Sequence, residues 1–320
     1  MTVRVAVLDD YQRVAEEAAD WGRLPEGVEV EFYPHPLGTA DEIVKELADY
    51  PIVVAMRERT AFPRELLARL PELRLLVTTG MKNAAIDVAA AGELGITVCG
   101  TAMAPTPTAE LTWGLILGVA RHIPEEDRAV REGRWQHTVG VGLSGKTLGV
   151  IGLGRLGRQV AAIGQAFGMN VVAWSQNLTP AAAAEAGVQK AADLDELLRM
   201  ADVVTIHTRL SERTRGLIGE RRLGLMRPTA ILVNTSRAPI VDMEALGDAV
   251  REGRLGGVGI DVYEDEPLAV DDPVRGWEPD RTVLTPHLGY VTGEGLRLSY
   301  GEAVEDIAAF LTGEPVRVLS

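Results

Sequence analysis

One pattern recurs from Arg4 to His287: a short run that is apolar at most positions, then a stretch with helical spacing. The runs are RVAVLDD (4–10), VEVEFY (28–33), IVVAMR (52–57) and LRLLVTT (73–79), followed by TLGVIG (147–152), NVVAWS (170–175), VVTIH (203–207), AILVNT (230–235), GVGIDVY (257–263) and TVLTPH (282–287). A strand with one face in water alternates apolar and polar side chains, whereas a strand covered on both faces is apolar throughout. Runs of the second kind, separated by helices, restrict the fold to parallel sheets wound by right-handed crossovers. The stretch GTAMAPTPTAE (100–110) divides the two series, and 320 residues suit two domains better than one core. The predicted class is therefore α/β, with two doubly wound parallel-sheet domains. Pro107 and Thr108 mark the start of a helix.

Composition narrows the function classes. A net charge of -14 disfavours a nucleic-acid surface, which needs clustered Lys and Arg. The most membrane-like run, LTWGLILGVA (111–120), falls short of a bilayer span and predicts a buried helix. Cys99 is the only cysteine, which excludes an intrachain disulfide and a CxxC site and fits a reducing cytoplasm. The N-terminus MTVRVAVLDD has no signal-peptide pattern. No HExxH, carboxylate cluster or Cys/His spacing predicts a metal.

The second series opens with KTLGVIGLGRLGRQVAAIGQAFG, where Gly152, Gly154 and Gly157 form GxGxxG between a strand and a helix. The first glycine permits a tight turn, the second admits a pyrophosphate against the backbone, and the third lets helix and strand touch. A bare GxGxxG is a weak signal; its strand-turn-helix setting carries the reading. An acid usually ends the next strand and holds the ribose of NAD. Here the strand ends VVAWSQN, with Ser175 in that place, so NAD and NADP both stay open. Arg209 in IHTRLSERT is a candidate for a 2′-phosphate, or a solvated loop residue.

Three later runs end at chemistry-bearing residues: VNTSRAPIVD at Arg237, GIDVYEDEP at Asp261 and Glu266, and LTPHLGY at His287. Strand C-termini line the ligand crevice of a doubly wound sheet. A histidine beside a carboxylate suits proton transfer to or from an alcohol, and a guanidinium binds a carboxylate bidentately. Glu264 and Asp265 compete with Glu266 for the role of carboxylate.

TAELTWGLILGVAR, GLGRLG, VNTSR followed by VD, IDVYEDEP and TPHLG stand in the order found in the D-isomer-specific 2-hydroxyacid dehydrogenase family, which this chain resembles over nearly its whole length. The resemblance implies a flavodoxin-like substrate domain over 1–100 plus 292–320 and a Rossmann dinucleotide-binding domain over 101–291. It implies that Arg237 binds and polarises the substrate, Glu266 raises the pKa of the histidine, and His287 is the general acid/base. Cofactor contacts are implied for Gly152, Gly154, Arg155, Leu156, Gly157, Ser175, His207, Thr235, Ser236, Asp261 and Gly289, with NAD or NADP as cofactor. Substrate contacts, to a small anionic 2-keto or 2-hydroxy acid, are implied for Arg57, Gly80, Met81 and Arg237. A homodimer formed largely through the nucleotide domain and its helix at 108–124 is implied as well, with domain closure excluding water. Formate dehydrogenases are similar too, but carry glutamine where Glu266 stands.

Two departures stand out. Ala238 and Pro239 follow Arg237 where the family usually has glycine. The loop TTGMKNAAID (78–87) replaces something like GVDNID, which presents backbone amides to the substrate carboxylate, and brings in Lys82 as a second positive charge or a solvated residue. A chain ending at Ser320 is expected to lack the regulatory domain of long phosphoglycerate dehydrogenases. The rival expectation from another class is a dinucleotide-sensing interaction protein with little turnover, like the corepressors that resemble this family.

Overall fold

The computed structural model describes residues 2–319, which divide into two compact units. One unit comprises the residues up to Pro105 and from Tyr290 onward; the other comprises Thr106–Gly289.

The first unit holds β1 (Val3–Val7), β2 (Val28–Phe32), β3 (Ile52–Ala55), β4 (Leu75–Thr78) and β5 (Thr97–Gly100), all parallel, in the order β2-β1-β3-β4-β5. This is the flavodoxin-like order, with its switch point between β1 and β3. Every residue of β3 and β4 is buried, as strands covered on both faces require. At the edge, β2 alternates instead, and its Glu29 and Glu31 face water. One face of the sheet packs Leu8, Tyr50, Phe62 and Leu76 into a core. On the other face Val5, Val7, Val54 and Val77 meet Leu296, Tyr300, Ala303 and Ile307 of the long helix Gly293–Leu311. Burying one such Leu or Ile contributes about 1.5–3 kcal/mol.

After that helix the chain runs antiparallel to β5, with Gly100 N–H donating to Arg317 O (3.0 Å) and Leu319 N–H to Val98 O (2.8 Å). Arg317 Nε donates to Asp306 Oδ1 at 2.9 Å. Burial pushes the Asp306 carboxyl up to about 7 against the pull of Arg317, with Glu302 and Glu305 adding to the rise.

The second unit holds β6 (Thr147–Ile151), β7 (Asn170–Trp174), β8 (Gln189–Lys190), β9 (Val203–Ile206), β10 (Ile231–Asn234), β11 (Gly257–Ile260) and β12 (Thr282–Leu284). All pairs are parallel and the order is β12-β11-β10-β9-β6-β7-β8, a Rossmann sheet whose switch point lies between β6 and β9. The helix Pro107–Ala120 begins on its proline and buries Trp113, Leu115, Ile116 and Val119 within this unit. Among the described residues no helix is long and apolar enough to cross a membrane.

Two strands, β5 and β8, lie outside the runs read from sequence. β8 is two exposed residues and leaves no apolar mark. The runs also overshoot at their C-termini. β1, β3 and β12 stop at Val7, Ala55 and Leu284, and Asp9, Arg57 and His287 just beyond them are left-handed, at φ 58°, 51° and 55°. Positive φ is uncommon for residues other than glycine.

Candidate functional site

The turn after β6 is built on two glycines, Gly152 and Gly157, that no other residue can replace. Gly152 is at φ +100°, and a Cβ there would lie 2.7 Å from the backbone of His207 and Thr208. A Cβ on Gly157 would lie 2.0 Å from Gly152 O, so helix and strand touch through hydrogen alone. Gly154 caps the helix Arg155–Ala166 and has nothing within 4 Å of its Cβ position. That open cradle, at the positive end of a helix, fits the diphosphate of a dinucleotide. Arg155 and Leu156 form the first turn beside it.

Neighbouring strand ends complete the rim. Ser175, after β7, accepts a hydrogen bond on Oγ from Leu153 N–H at 2.8 Å, which ties the glycine turn to the second strand. His207, after β9, shares a 2.9 Å bond between Nε2 and Thr205 Oγ1, and desolvation pushes its imidazole down to about 4, so it is neutral. Thr235, after β10, bonds Thr112 through the two hydroxyls at 2.8 Å. Ser236 donates from Oγ to Thr208 O at 2.5 Å.

Asn234 is a residue the sequence reading did not single out. It is fully buried at the end of β10, accepts Ser236 N–H and donates to Arg237 O, both at 3.0 Å. It thereby sets the turn that presents Arg237. A lone polar residue closing the apolar run ILVN was the available signal.

The segment after β12 carries His287. Its Nδ1 lies 2.6 Å from Glu266 Oε2, and Glu266 Oε1 accepts Tyr263 N–H at 3.0 Å. Burial pushes the Glu266 carboxyl up, but the hydrogen bond and charge of His287, with the Tyr263 amide and Arg237, outweigh it and hold the carboxyl below its ordinary value. Of the three acids in the YEDEP stretch, Glu266 is the one bonded to His287. Glu264 and Asp265 line a separate hollow of about 500 Å³ with Met243 and Trp277.

Asp261, fully buried after β11, grips the histidine segment by its backbone. Oδ1 accepts Thr285 Oγ1–H and Leu288 N–H, each at 2.7 Å, and Oδ2 accepts Gly289 N–H at 2.9 Å. Burial raises this carboxyl, while the same three donors and His287 pull it down. Gly289 O in turn accepts Thr108 Oγ1–H at 2.7 Å.

All the residues read as cofactor contacts or as catalytic lie in the Thr106–Gly289 unit, most of them just after strand ends or in the first turn of the helix Arg155–Ala166. Arg57, Gly80 and Met81 belong to the other unit, at the ends of β3 and β4. Met81 and Lys82 are exposed there, and Arg209 of the nucleotide-type unit is exposed as well. Among the described residues no group of three His, Cys, Asp or Glu can hold a metal ion.

Residues 113–289 match the family model described as D-isomer specific 2-hydroxyacid dehydrogenase, NAD binding domain. A glyoxylate reductase of Aeropyrum pernix is 41% identical over 260 residues, covering 78% of this chain and 77% of that protein. A D-3-phosphoglycerate dehydrogenase of Methanocaldococcus jannaschii is 36% identical over 279 residues; the match covers 86% of this chain but only 52% of that protein, so the chain spans about half its length. Among solved structures, a phosphoglycerate oxidoreductase of Vibrio cholerae superposes with a TM-score of 0.91 at 33% identity, over 98% of this chain and 100% of the other.

Proposed function

The chain belongs to the D-isomer specific 2-hydroxyacid dehydrogenase family, and on that premise we propose that it interconverts small 2-keto acids and D-2-hydroxy acids using NAD(H) or NADP(H). The observation that carries the reading is the 2.6 Å bond between His287 Nδ1 and Glu266, in the unit that also holds the open glycine cradle. When bound, the reduced nicotinamide supplies a hydride to the keto carbon. Every other task falls to side chains of this protein.

With Nδ1 bonded to Glu266, the imidazole faces its reaction through Nε2. In reduction Nε2–H gives its proton to the substrate oxygen, and in oxidation neutral Nε2 accepts one. The Glu266 carboxylate fixes the ring tautomer and stabilises the charged imidazolium. Arg237, presented by the Asn234 turn, pairs with the substrate carboxylate and polarises the carbonyl. Asp261 anchors the turn on which His287 stands.

Both dinucleotides are proposed as cofactors because no acid follows β7 to repel a 2′-phosphate; Ser175, Gln176 and Asn177 stand there. A homodimer is proposed through the segment after the helix Pro107–Ala120. Ile123, Val130, Trp135, Val139 and Val141 are all exposed on it, Trp135 at 76% and Val139 at 91%.

The test is loss of reduced-cofactor absorbance, with NADH and NADPH in parallel, across glyoxylate, hydroxypyruvate, pyruvate and phosphohydroxypyruvate. Turnover that falls at least about 1000-fold in His287→Ala supports the reading, given the contribution of a positioned acid/base. Turnover that survives the substitution refutes the assignment of His287.

A further inference from the structure

Within the Thr106–Gly289 unit lies a hollow that no step of the reaction above uses. It measures about 500 Å³, a size at which small-molecule sites are found. One wall is the helix Met243–Arg251, on which Met243, Gly247 and Arg251 recur at four-residue steps and so share a face. The other walls are the stretch Tyr263–Asp265, Leu268 and the short turn that ends at Trp277.

These walls are held in place. A Cβ on Gly247 would lie 2.9 Å from Trp277 Nε1 and 3.2 Å from Cε2, so the indole rests directly on helix backbone. Arg275 donates from Nη2 to Leu268 O at 2.6 Å and from Nε to Ala269 O at 2.7 Å, which fixes the Leu268 wall. The Tyr263 hydroxyl donates to Thr285 O at 3.1 Å. Trp277, Tyr263, Met243 and Leu268 thus supply a preformed aromatic and apolar lining.

The charge on the lining is left over on one side. Its single cation, Arg251, is taken by Asp248 at 2.8 Å, and Asp272 accepts Val274 N–H at 2.9 Å. Glu244, Glu264 and Asp265 are exposed at the hollow and, among the described residues, make no hydrogen bond or ion pair. The face of an indole attracts a cation as well. Unpaired carboxylates around an aromatic lining complement a positive head on an apolar body, and they repel the anionic 2-keto acid and the phosphates of a dinucleotide.

We propose that this hollow is a second ligand site, for an organic ammonium ion carried on an aromatic or alkyl body. The site abuts the catalytic carboxylate, because Tyr263, which lines it, donates its N–H to Glu266 Oε1 at 3.0 Å. Occupancy is therefore recorded at that amide. Binding here goes beyond the 2-keto acid reading and stands without it.

The probe is 2-phenylethylamine, with neutral 2-phenylethanol as comparator, titrated by calorimetry into the full chain with and without NADH. A Glu264→Gln/Asp265→Asn variant and a Trp277→Leu variant are titrated alongside. The amine is expected to bind with a Kd of about 1 mM, the range open to so small a ligand, and the alcohol at least about tenfold more weakly. Each variant is expected to raise the Kd of the amine about tenfold, the first by loss of charge and the second by loss of the aromatic face. NADH leaves that Kd unchanged. Hydrogen–deuterium exchange is expected to slow, with amine bound, at Tyr263 and along 263–277.

An alcohol that binds as tightly as the amine overturns the proposal, and so does an amine Kd unmoved in Glu264→Gln/Asp265→Asn, the variant that decides if Trp277→Leu does not fold. Displacement of the amine by NADH overturns it by placing the amine in the cofactor cradle. No saturable binding at about ten times the expected Kd overturns it outright.

Discussion

Asp261→Asn removes one negative charge and replaces one acceptor oxygen by an NH2 group, with almost no change of shape. In the native protein three donors converge on the carboxylate: Thr285 Oγ1–H, Leu288 N–H and Gly289 N–H. An asparagine oxygen at the Oδ1 position keeps the first two as neutral bonds, and its NH2 then faces Gly289 N–H, donor against donor. A buried donor left without an acceptor costs about 1–3 kcal/mol, and each bond that changes from charge-assisted to neutral loses about 1 kcal/mol. Relief of the buried charge offsets part of this, since burial is the leading influence on that carboxyl. The net loss is about 2 kcal/mol, borne by the turn that carries His287, which corresponds to roughly a 30-fold fall in the ratio of ordered to disordered turn. The assay is kcat/KM for the best 2-keto acid at saturating cofactor, with exchange of the Leu288 and Gly289 amides followed alongside. A variant whose kcat/KM stays within about threefold of wild type, with both amides still protected, refutes the argument that this carboxylate holds the turn.

Gly157→Ala is expected to weaken binding of reduced cofactor by about 10- to 100-fold, because a methyl group 2.0 Å from Gly152 O forces the turn open. Fluorescence titration with NADH checks it, and an unchanged Kd counts against the cradle. For Asp306, whose carboxyl is raised to about 7 in the folded protein, the favourable contribution is full below the ordinary carboxylate range and is lost as pH rises through about 7. Asp306→Asn keeps an acceptor for Arg317 without the charge, so its unfolding midpoint gains on wild type at pH 8 by more than at pH 5. Thermal scans at the two values measure the difference, and a gain independent of pH contradicts the sign.

Strand interiors and the glycine turn were legible in the sequence because each records a local requirement. Leu75–Thr78 and Val203–Ile206 are apolar but for one threonine each because both faces of those strands are covered, and Gly157 has no alternative at its distance from Gly152. Family motifs carried the reading further, to Arg237, Glu266 and His287. What escaped was work done on distant backbone, including that of Asp261, which was read as a cofactor contact and not as an anchor of the His287 turn. Asn83 bonds the carbonyl of Arg57, 26 positions away, and Asp261 bonds amides 27 and 28 positions on. Nothing in a one-dimensional pattern distinguishes such an Asn or Asp from a solvated one. The pairing of Arg317–Leu319 with β5 escaped for the same reason, since three residues hold too little periodicity to be read as a strand.

The return of the helix Gly293–Leu311 to the first unit bears on the order in which the chain can fold during synthesis. Val5, Val7 and Val54 leave the ribosome early, yet Leu296, Tyr300, Ala303 and Ile307, which cover them, are made last. The Thr106–Gly289 unit is contiguous and can close while translation continues. The segment translated first is therefore the one completed last, and until then it exposes an apolar sheet face for nascent-chain chaperones to shield.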